Sequence, residues 1–357
     1  MKILFIVNSL RNYGGLEKWH IQIGNALTER GHDVVIQGID LGEYKRVELG
    51  DIDNFVKFKY TEEFLESPRG DILYTSIGNR KVLENILKLS GPKIFGAHHG
   101  EYIRFSNATG ITWSSEFFSV KSMKYKLWFN QTLKLLPKFD AVHYLNHGLD
   151  WLARINGDIF YLPNTNLMQI SNLAKPKDKF GVLFFGRHET EKGVDTVIKV
   201  ANALPQDVNL TILGTGSRSK ELSNIERPNV HFLGQVSDSE LTDRVATSQL
   251  ILMPSYSENS SIALRESLSN GTPLVARDFE DLAVPSLCHI AKSDDEFLEY
   301  ILENKNQFYS DPDSYIIQCQ LLKSKVLTKS EYVDSFEKLL LFASQNFQRR
   351  EKVQSNK

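Results

Sequence analysis

The feature that most constrains the fold of this chain is an order of elements that occurs twice along it. An apolar run of strand length is followed by a loop with glycine, an amphipathic helix and a second apolar run. The first run is 2–7, and the helical pattern after it ends at Gly31; the second series restarts at 182–185. Such strand–helix–strand units form parallel sheets with right-handed crossovers. The sequence therefore predicts an α/β protein with two doubly wound sheets.

Shorter apolar runs continue both series and predict further strands. They lie at 34–36, 72–74, 94–96 and 141–145 in the first series, and at 210–213, 230–232, 250–253 and 274–276 in the second. The polar segment 164–179 between the series has the composition of a linker. After Thr328 a capping-box pattern predicts a final amphipathic helix, and the polar tail from Gln348 is expected to fray.

Length and charge exclude several classes of protein. The chain has 357 residues, and single cores stop growing near about 250, so two domains are expected. The 42 basic residues nearly balance the 44 acidic ones, which gives no overall electrostatic reason to bind nucleic acid. The apolar run 2–7 is too short for a signal peptide or a membrane span, so a cytoplasmic protein is expected.

Two loops at predicted strand ends carry residue types that bind anions. Gly14 and Gly15 lie between the first strand and its helix, where the missing Cβ atoms let backbone approach a ligand and helix N–H groups favour an anion. The segment 186–193, GRHETEKG, holds Arg187 and Lys192, a planar fork and a point charge suited to a diphosphate. The alternatives are a tight turn at the glycines and solvated cations paired with the neighbouring glutamates.

A third segment, 254–273, contains two glutamates eight residues apart. Glu258 falls in the loop after a predicted strand, and Glu266 lies about two turns inside the helix that Gly271 ends. Carboxylates accept hydrogen bonds from vicinal hydroxyls, which sugars present. The alternative is that Glu266 forms an ordinary surface ion pair with Arg265.

Together these segments resemble the retaining glycosyltransferases of the GT-B fold, in the large family that includes glycogen synthases and phosphatidylinositol mannosyltransferases. The segment 14–17, GGLE, resembles the family's N-terminal glycine loop, 186–193 its diphosphate motif and 258–266 its Glu-x7-Glu signature. The turn 213–216, which includes Gly214, resembles a further glycine turn near the donor base. The resemblance covers most of the chain.

The resemblance implies two facing Rossmann-like domains with a cleft between them. Residues 1–165 would form the N-terminal, acceptor-side domain and residues 166–328 the C-terminal, nucleotide-sugar-binding domain. The helix in 329–357 would cross back to the first domain and end in a polar tail.

The resemblance also assigns roles to residues. Arg187 and Lys192 would hold the diphosphate of a nucleotide sugar, Glu266 the ribose hydroxyls and Glu258 the transferred sugar. His99 resembles the N-terminal-domain histidine beside the donor sugar; His98 is the alternative match, and both histidines could instead cap the sheet.

One departure from the family pattern affects the sugar pocket. Asn259, Ser260 and Ser261 stand where many relatives have glycines, so their amides are expected near the sugar while their side chains reshape the pocket. The predicted catalytic residues are His99 and Glu258. The predicted donor-binding residues are Gly14, Gly15, Arg187, Lys192, Gly214, Asn259, Ser260, Ser261 and Glu266.

The resulting hypothesis is a retaining glycosyltransferase that moves a sugar from a nucleotide diphosphate sugar to a sugar or lipid-linked hydroxyl acceptor, in cell-surface polysaccharide or glycoconjugate synthesis. Alternatives are a nucleotide-sugar epimerase of the same fold and a non-catalytic sugar-nucleotide-binding subunit. No cofactor beyond the nucleotide sugar and no metal are expected, because the two Asp-x-Asp pairs, at 51–53 and 311–313, lie outside the proposed donor site.

The segment 104–138 is rich in aromatic and basic residues. A basic amphipathic segment of this kind could lie against an anionic membrane, which would place the enzyme at the inner face and suit a lipid-linked acceptor. The alternative is a helix that buries its aromatic side chains in the domain while its lysines stay solvated.

Overall fold

The computed structural model describes most of the chain and divides it into two compact units. The described residues are 1–7, 15–39, 57–61, 71–98, 130–146, 155, 157–168, 170, 171, 175, 180–256, 258, 260–277 and 288–355. Unit 1 consists of Met1–Pro163 together with Lys329–Lys357, and unit 2 consists of Asn164–Thr328. Unit 1 is therefore built from both ends of the chain.

Unit 1 contains a seven-stranded sheet in the order β3-β2-β1-β4-β5-β6-β7, and every neighbouring pair is parallel. Its strands are β1 (Lys2–Val7), β2 (Asp33–Ile39), β3 (Lys57–Thr61), β4 (Ile72–Thr75), β5 (Lys93–Ala97), β6 (Ala141–Tyr144) and β7 (Ile159–Tyr161). The strand order reverses between β1 and β4, and doubly wound sheets bind ligands at such a switch point, beyond the carboxyl ends of the strands.

Unit 2 contains a six-stranded parallel sheet in the order β10-β9-β8-β11-β12-β13. Its strands are β8 (Phe180–Phe185), β9 (Val208–Leu213), β10 (Val230–Gly234), β11 (Leu250–Met253), β12 (Leu274–Arg277) and β13 (His289–Ala291). The switch point here lies between β8 and β11. The predicted fold class, α/β with two doubly wound parallel sheets, is confirmed.

Helices cover the faces of both sheets. In the described part of the chain they are α1 (Gly15–Glu29), α2 (Arg80–Ile86), α3 (Val194–Ala203), α4 (Ser219–Ser223), α5 (Asp238–Thr247), α6 (Ile262–Ser269), α7 (Asp294–Ser310), α8 (Pro312–Lys323) and α9 (Lys329–Ser355). Interior strands bury both faces, which is why they are continuous apolar runs. In β1, for example, Leu4 and Ile6 join one core cluster while Phe5 packs on the other face against Trp19.

The final helix α9 completes the core of unit 1. Tyr332 accepts a hydrogen bond from the indole of Trp19 at 3.0 Å, and Phe336 stacks on Phe5 at a centroid distance of 6.2 Å. The helix continues through Ser355, so the expected fraying from Gln348 is wrong. Arg350 explains the difference, because its guanidinium donates to the carbonyl oxygens of Lys138 and Phe139.

The predicted linker contains residues that dock against unit 2. The amide of Asn166 donates to the Ser269 hydroxyl at 2.7 Å, and Lys175 donates to the carbonyl oxygens of Ala246 and Ser248 at 2.9 and 2.6 Å. The polar side chains of this segment therefore form hydrogen bonds with backbone and side-chain groups of unit 2. The division between the two units falls at the start of this segment, between Pro163 and Asn164, and the described residues of 164–179 belong to unit 2.

Candidate active site

The two charged motifs of unit 2 meet at its switch point. The segment after β8 carries Lys192, and the segment after β11 carries Glu258. Lys192 Nζ lies 2.6 Å from Glu258 Oε1, and the two side chains are only 21% and 11% exposed. The structure thus joins the predicted diphosphate cation to the predicted sugar carboxylate in a partly buried ion pair.

Backbone contacts hold the two loops together around this ion pair. The short 3-10 turn Thr190–Lys192 ends at Gly193, which has a φ of 73° and lies so close to Pro254 that a Cβ would overlap the Pro254 carbonyl oxygen. The Tyr256 N–H donates to the Glu191 carbonyl oxygen at 2.9 Å. Only glycine permits this approach, so Gly193 is required to bring the loops into contact.

Arg187, the second predicted cation, lies at the same edge but is more solvated. Its side chain is 61% exposed and donates to Glu191 Oε1 at 2.8 Å. The Arg187–Glu191 pair matches the alternative of a solvated cation paired with a neighbouring glutamate. One N–H of the guanidinium is used, and the planar fork retains other donors for an anion.

The glycine turn after β9 packs on the diphosphate motif. Gly214 has a φ of 111°, and a Cβ there would overlap the carbonyl oxygen of Gly186. His188, which the sequence analysis did not single out, is fully buried between the two turns, with Nε2 3.2 Å from the Leu213 carbonyl oxygen and Nδ1 2.9 Å from the Ser219 hydroxyl. Burial lowers its pKa. The neutral ring therefore ties the glycine turn to the strand end.

The residues after Glu258 form the start of α6. Ser261 caps this helix by accepting from the Leu264 N–H at 3.3 Å. The Ser260 hydroxyl accepts from the Asn164 N–H at 3.0 Å, and the Ser260 carbonyl oxygen accepts from the Asn164 amide at 2.9 Å. Asn259 lies outside the described residues. Both serine hydroxyls thus accept hydrogen bonds that fix the loop.

Glu266 lies inside α6, as predicted. It is 6% exposed and Arg265 is 5% exposed. The alternative of an ordinary surface ion pair is therefore wrong, because neither residue is at the surface.

Arg277, at the end of β12, anchors the start of the Glu258 loop and was missed by the sequence analysis. It donates to the Pro254 carbonyl oxygen at 3.1 Å, lies 4.4 Å from the ring centroid of Tyr256, and binds Thr196 and Asp294. Burial alone would raise the pKa of Asp294, but hydrogen bonds from its partners lower it to about 2. A single arginine at a strand end carries no sequence signal for such a cluster.

In unit 1 the described candidates, Gly15 and His98, lie at the carboxyl edge of the sheet. Gly15 is the first residue of α1, whereas Gly14 and His99 lie outside the described residues. His98, the alternative to His99, follows β5. Its Nε2 is 2.7 Å from the Tyr74 hydroxyl, which is also 2.7 Å from His143 Nδ1. Tyr74 and His143 were not predicted, since no local pattern connects Tyr74 on β4 and His143 on β6 with His98 after β5.

Most of the aromatic and basic segment, 104–129, lies outside the described residues. In its described end, Leu133, Leu135 and Leu136 are buried. The aromatic residues of the segment lie outside the described residues, so membrane contact and its alternative both stay predictions. Among the described helices, none is long and apolar enough to cross a membrane. Of the Asp-x-Asp pairs, 51–53 lies outside the described residues, and Asp311 caps α8 by accepting from the Ser314 N–H.

The arrangement in unit 2 has a definite chemical capacity. At one sheet edge it places two cations, glycine turns and the carboxylate of Glu258, and the buried Glu266 lies in the helix that follows. Cations suit the negative charge of a phosphate or diphosphate, and carboxylates suit hydroxyl groups. A ligand that carries both kinds of group would match the cations and the Glu258 carboxylate together.

Comparison with known proteins agrees with this chemistry. Residues 168–284 match the family of glycosyl transferases group 1. An uncharacterized glycosyltransferase of Haemophilus influenzae is 24% identical over 293 residues, which cover 77% of this chain and 80% of that protein.

Solved structures show the same fold. The crystal structure of Anabaena HepE in complex with UDP and glucose has a TM-score of 0.68 at 16% identity, covering 95% of this chain and 99% of HepE. WaaG, a glycosyltransferase involved in lipopolysaccharide biosynthesis, has a TM-score of 0.67 at 16% identity, covering 93% and 98%. With its two parallel sheets and its matching segment 168–284, the chain is a glycosyltransferase of the GT-B fold.

Proposed function

We propose that this glycosyltransferase moves a sugar from a nucleoside diphosphate sugar to a hydroxyl acceptor, with retention of anomeric configuration and without a bound metal. The observation that carries the proposal is the Lys192–Glu258 ion pair at the switch point of unit 2, with its 2.6 Å separation. The ion pair supports the proposal because the cation proposed to bind the leaving diphosphate then lies beside the carboxylate proposed to bind the transferred sugar.

The ion pair leaves Lys192 able to bind a phosphate. An ammonium has three N–H donors, and Glu258 takes one of them in the structure. A diphosphate at the same edge would take another, and Arg187 would supply its fork from the exposed side. As the bond to the sugar breaks, negative charge on the diphosphate grows, and these fixed cations stabilise it in the transition state.

The two carboxylates act at different depths of the site. Glu258, at the loop, would accept hydrogen bonds from the transferred sugar, and the buried Glu266 would accept from the ribose. Gly214 and its turn would face the donor base, and amides of the loop 259–261 would contact the sugar. Support comes from HepE, whose structure is a complex with UDP and glucose.

The donor assignment can be tested by calorimetry with UDP as the probe. Lys192→Ala and Arg187→Ala should each weaken UDP binding by about 1–3 kcal/mol, because each removes a charge-assisted hydrogen bond. Arg244→Ala is the matched control: Arg244 forms an exposed i,i+4 ion pair with Glu240, like that of Arg187 with Glu191, but lies in the last turn of α5. Unchanged UDP affinity in both site variants would contradict the assignment.

Glu258→Gln separates the sugar role from the nucleotide role. The amide keeps the size of the side chain but loses its charge, so turnover of a UDP-sugar should fall about 100-fold while UDP affinity changes less.

A thermal-shift panel of nucleotide sugars identifies the donor, since a ligand that binds the native state raises its stability. NMR of the product's anomeric proton then decides between retention and inversion.

The acceptor side of the proposal is a sugar or lipid-linked hydroxyl in cell-surface polysaccharide or glycoconjugate synthesis, at the cytoplasmic face of a membrane. WaaG, a structural neighbour, is described as acting in lipopolysaccharide biosynthesis. Peripheral contact would come from the segment 104–138. Sedimentation with anionic vesicles, compared with neutral ones, tests it: equal recovery in both supernatants would exclude an electrostatic contact.

A further inference from the structure

The hydrogen bonds around Tyr74 form a directed chain whose polarity can be worked out. His143 Nε2 lies 2.7 Å from the Leu162 carbonyl oxygen. A carbonyl only accepts, so Nε2 carries the proton. His143 is fully buried and burial lowers its pKa to about 4, so the ring is neutral and its Nδ1 can only accept.

The same reasoning identifies the donor in the hydrogen bond between Tyr74 and His98. Tyr74 has one hydroxyl proton, which it donates to His143 Nδ1 over 2.7 Å. The Tyr74 oxygen, 2.7 Å from His98 Nε2, is therefore the acceptor of that second bond, and His98 Nε2 carries the proton. Protons thus point in one direction, from His98 through Tyr74 and His143 to the Leu162 carbonyl.

Packing around these hydrogen bonds fixes the orientation of the His98 ring, as the hydrogen bonds themselves fix its tautomer. The ring centroids of Trp19 and His98 lie 4.2 Å apart, and the backbone N–H of His98 donates to the Gly96 carbonyl oxygen at 3.0 Å. A Cβ on Gly96 would overlap the Tyr74 hydroxyl, so glycine is required for this hydroxyl to reach both histidines. Tyr74 itself is fully buried, and burial raises its pKa, which keeps the hydroxyl protonated.

We propose that Tyr74 is a positioning residue of the transferase, which together with His143 holds His98 as its Nε2–H tautomer at the carboxyl edge of the unit 1 sheet. Any action of His98 on a substrate hydroxyl then goes through Nδ1, the ring nitrogen that can take a proton. This inference rests on the proposed function for its link to turnover, but the tautomer itself is independent of any substrate.

The tautomer is tested in the full-length protein labelled with ¹⁵N at histidine. A long-range proton–nitrogen spectrum distinguishes the two neutral tautomers, and the spectrum of His98→Gln assigns the His98 signals. The wild type should show the Nε2–H form for both His98 and His143. A dominant Nδ1–H form at His98 would overturn the proposal without any variant of Tyr74.

Tyr74→Phe tests the positioning role, with Tyr332→Phe as its matched control. Both variants delete a buried hydroxyl from the same aromatic cluster, but Tyr332 bonds to Trp19 and not to His98. Tyr74→Phe should mix the His98 tautomers and lower kcat about 10-fold or more, with KM for the best donor of the nucleotide-sugar panel within about twofold. Tyr332→Phe should leave the His98 signals and kcat unchanged.

The outcomes separate this proposal from the proposed function. Equal loss of kcat in both variants, or an unchanged His98 tautomer in Tyr74→Phe, would overturn the positioning role. If no donor in the panel turns over, the proposed function fails, and the histidine spectra alone decide whether Tyr74 sets the tautomer.

Discussion

The two units bury a histidine in the same way and end the hydrogen-bond chain differently. In unit 1, His143 donates from Nε2 to a backbone carbonyl and accepts at Nδ1 from the Tyr74 hydroxyl. In unit 2, His188 donates from Nε2 to a carbonyl and accepts at Nδ1 from the Ser219 hydroxyl. Burial lowers the pKa of both rings.

The two hydrogen-bond chains differ in the group that donates to the hydroxyl oxygen. The Ser219 oxygen accepts from the Gly216 N–H at 2.8 Å, so the chain in unit 2 ends in backbone and holds a turn in place. The Tyr74 oxygen accepts from His98, so the chain in unit 1 ends in a side chain that can carry a proton. The same arrangement of hydrogen bonds therefore ends in backbone in unit 2 and in an ionisable side chain in unit 1.

The largest expected effect concerns glycines with positive φ in the two units. Gly214→Ala should destabilise unit 2 by about 4 kcal/mol, because the new Cβ overlaps the Gly186 carbonyl oxygen at a φ of 111°. Gly31→Ala, in unit 1, should cost only about 1 kcal/mol, because nothing lies within 4 Å of its Cβ and the penalty is backbone strain alone. Urea unfolding, monitored by hydrogen exchange, measures the loss of unfolding free energy in each variant. Equal losses in the two variants would contradict the packing role given to the glycine turn.

Acid should weaken unit 1 through His143. Its pKa in the folded state, about 4, lies below the ordinary 6.5, so the stabilising contribution is full above about pH 6.5 and is lost as pH falls toward 4. The loss should be about 3 kcal/mol. Hydrogen exchange of unit 1 at about pH 7 and pH 4 measures it, and His143→Gln should flatten the pH dependence. If the stability of unit 1 depends on pH equally steeply in the wild type and in His143→Gln, the effect belongs to other groups.

Arg277→Met should lower kcat/KM about 10-fold, which corresponds to about 1.4 kcal/mol, because the loop that carries Glu258 loses its anchor. Arg277→Lys should not restore it, since lysine lacks the planar fork. Arg218→Met is the control: Arg218 is similarly buried, 17% against 14% exposed, but binds Asp195 and Glu221. A drop of the same size in the control would point to general destabilisation of unit 2.

The smallest expected effect is that of chelation. Turnover should be unchanged in excess EDTA, because Lys192 and Arg187 supply positive charge where a metal would act as a Lewis acid. Activity that EDTA abolishes and magnesium or manganese restores would contradict metal independence and the role of both cations.

How much of the fold could be predicted depended on where each strand lies in its sheet. Interior strands such as β1 and β11 are apolar runs because both faces are buried, and they were predicted with nearly correct bounds. The strands that were missed, β3, β7 and β13, all lie at sheet edges, where one side need not be apolar and the run is short.

The site was partly predictable for a similar reason. Lys192, Glu258 and Glu266 belong to contiguous segments whose spacing carries the family pattern. Arg277, His188 and the Tyr74–His143 pair act through contacts between distant segments, and a single residue at a strand end has no local signature. Their roles follow only from the tertiary structure.

The division of unit 1 between the two ends of the chain has a consequence for biosynthesis. Its core needs Tyr332 and Phe336 from α9 against Trp19 and Phe5, so this unit cannot be completed until α9 has left the ribosome. Unit 2, continuous from Asn164 to Thr328, has all its residues earlier. The strands of unit 1 are therefore translated before unit 2, whereas the helix that completes their core is translated after it.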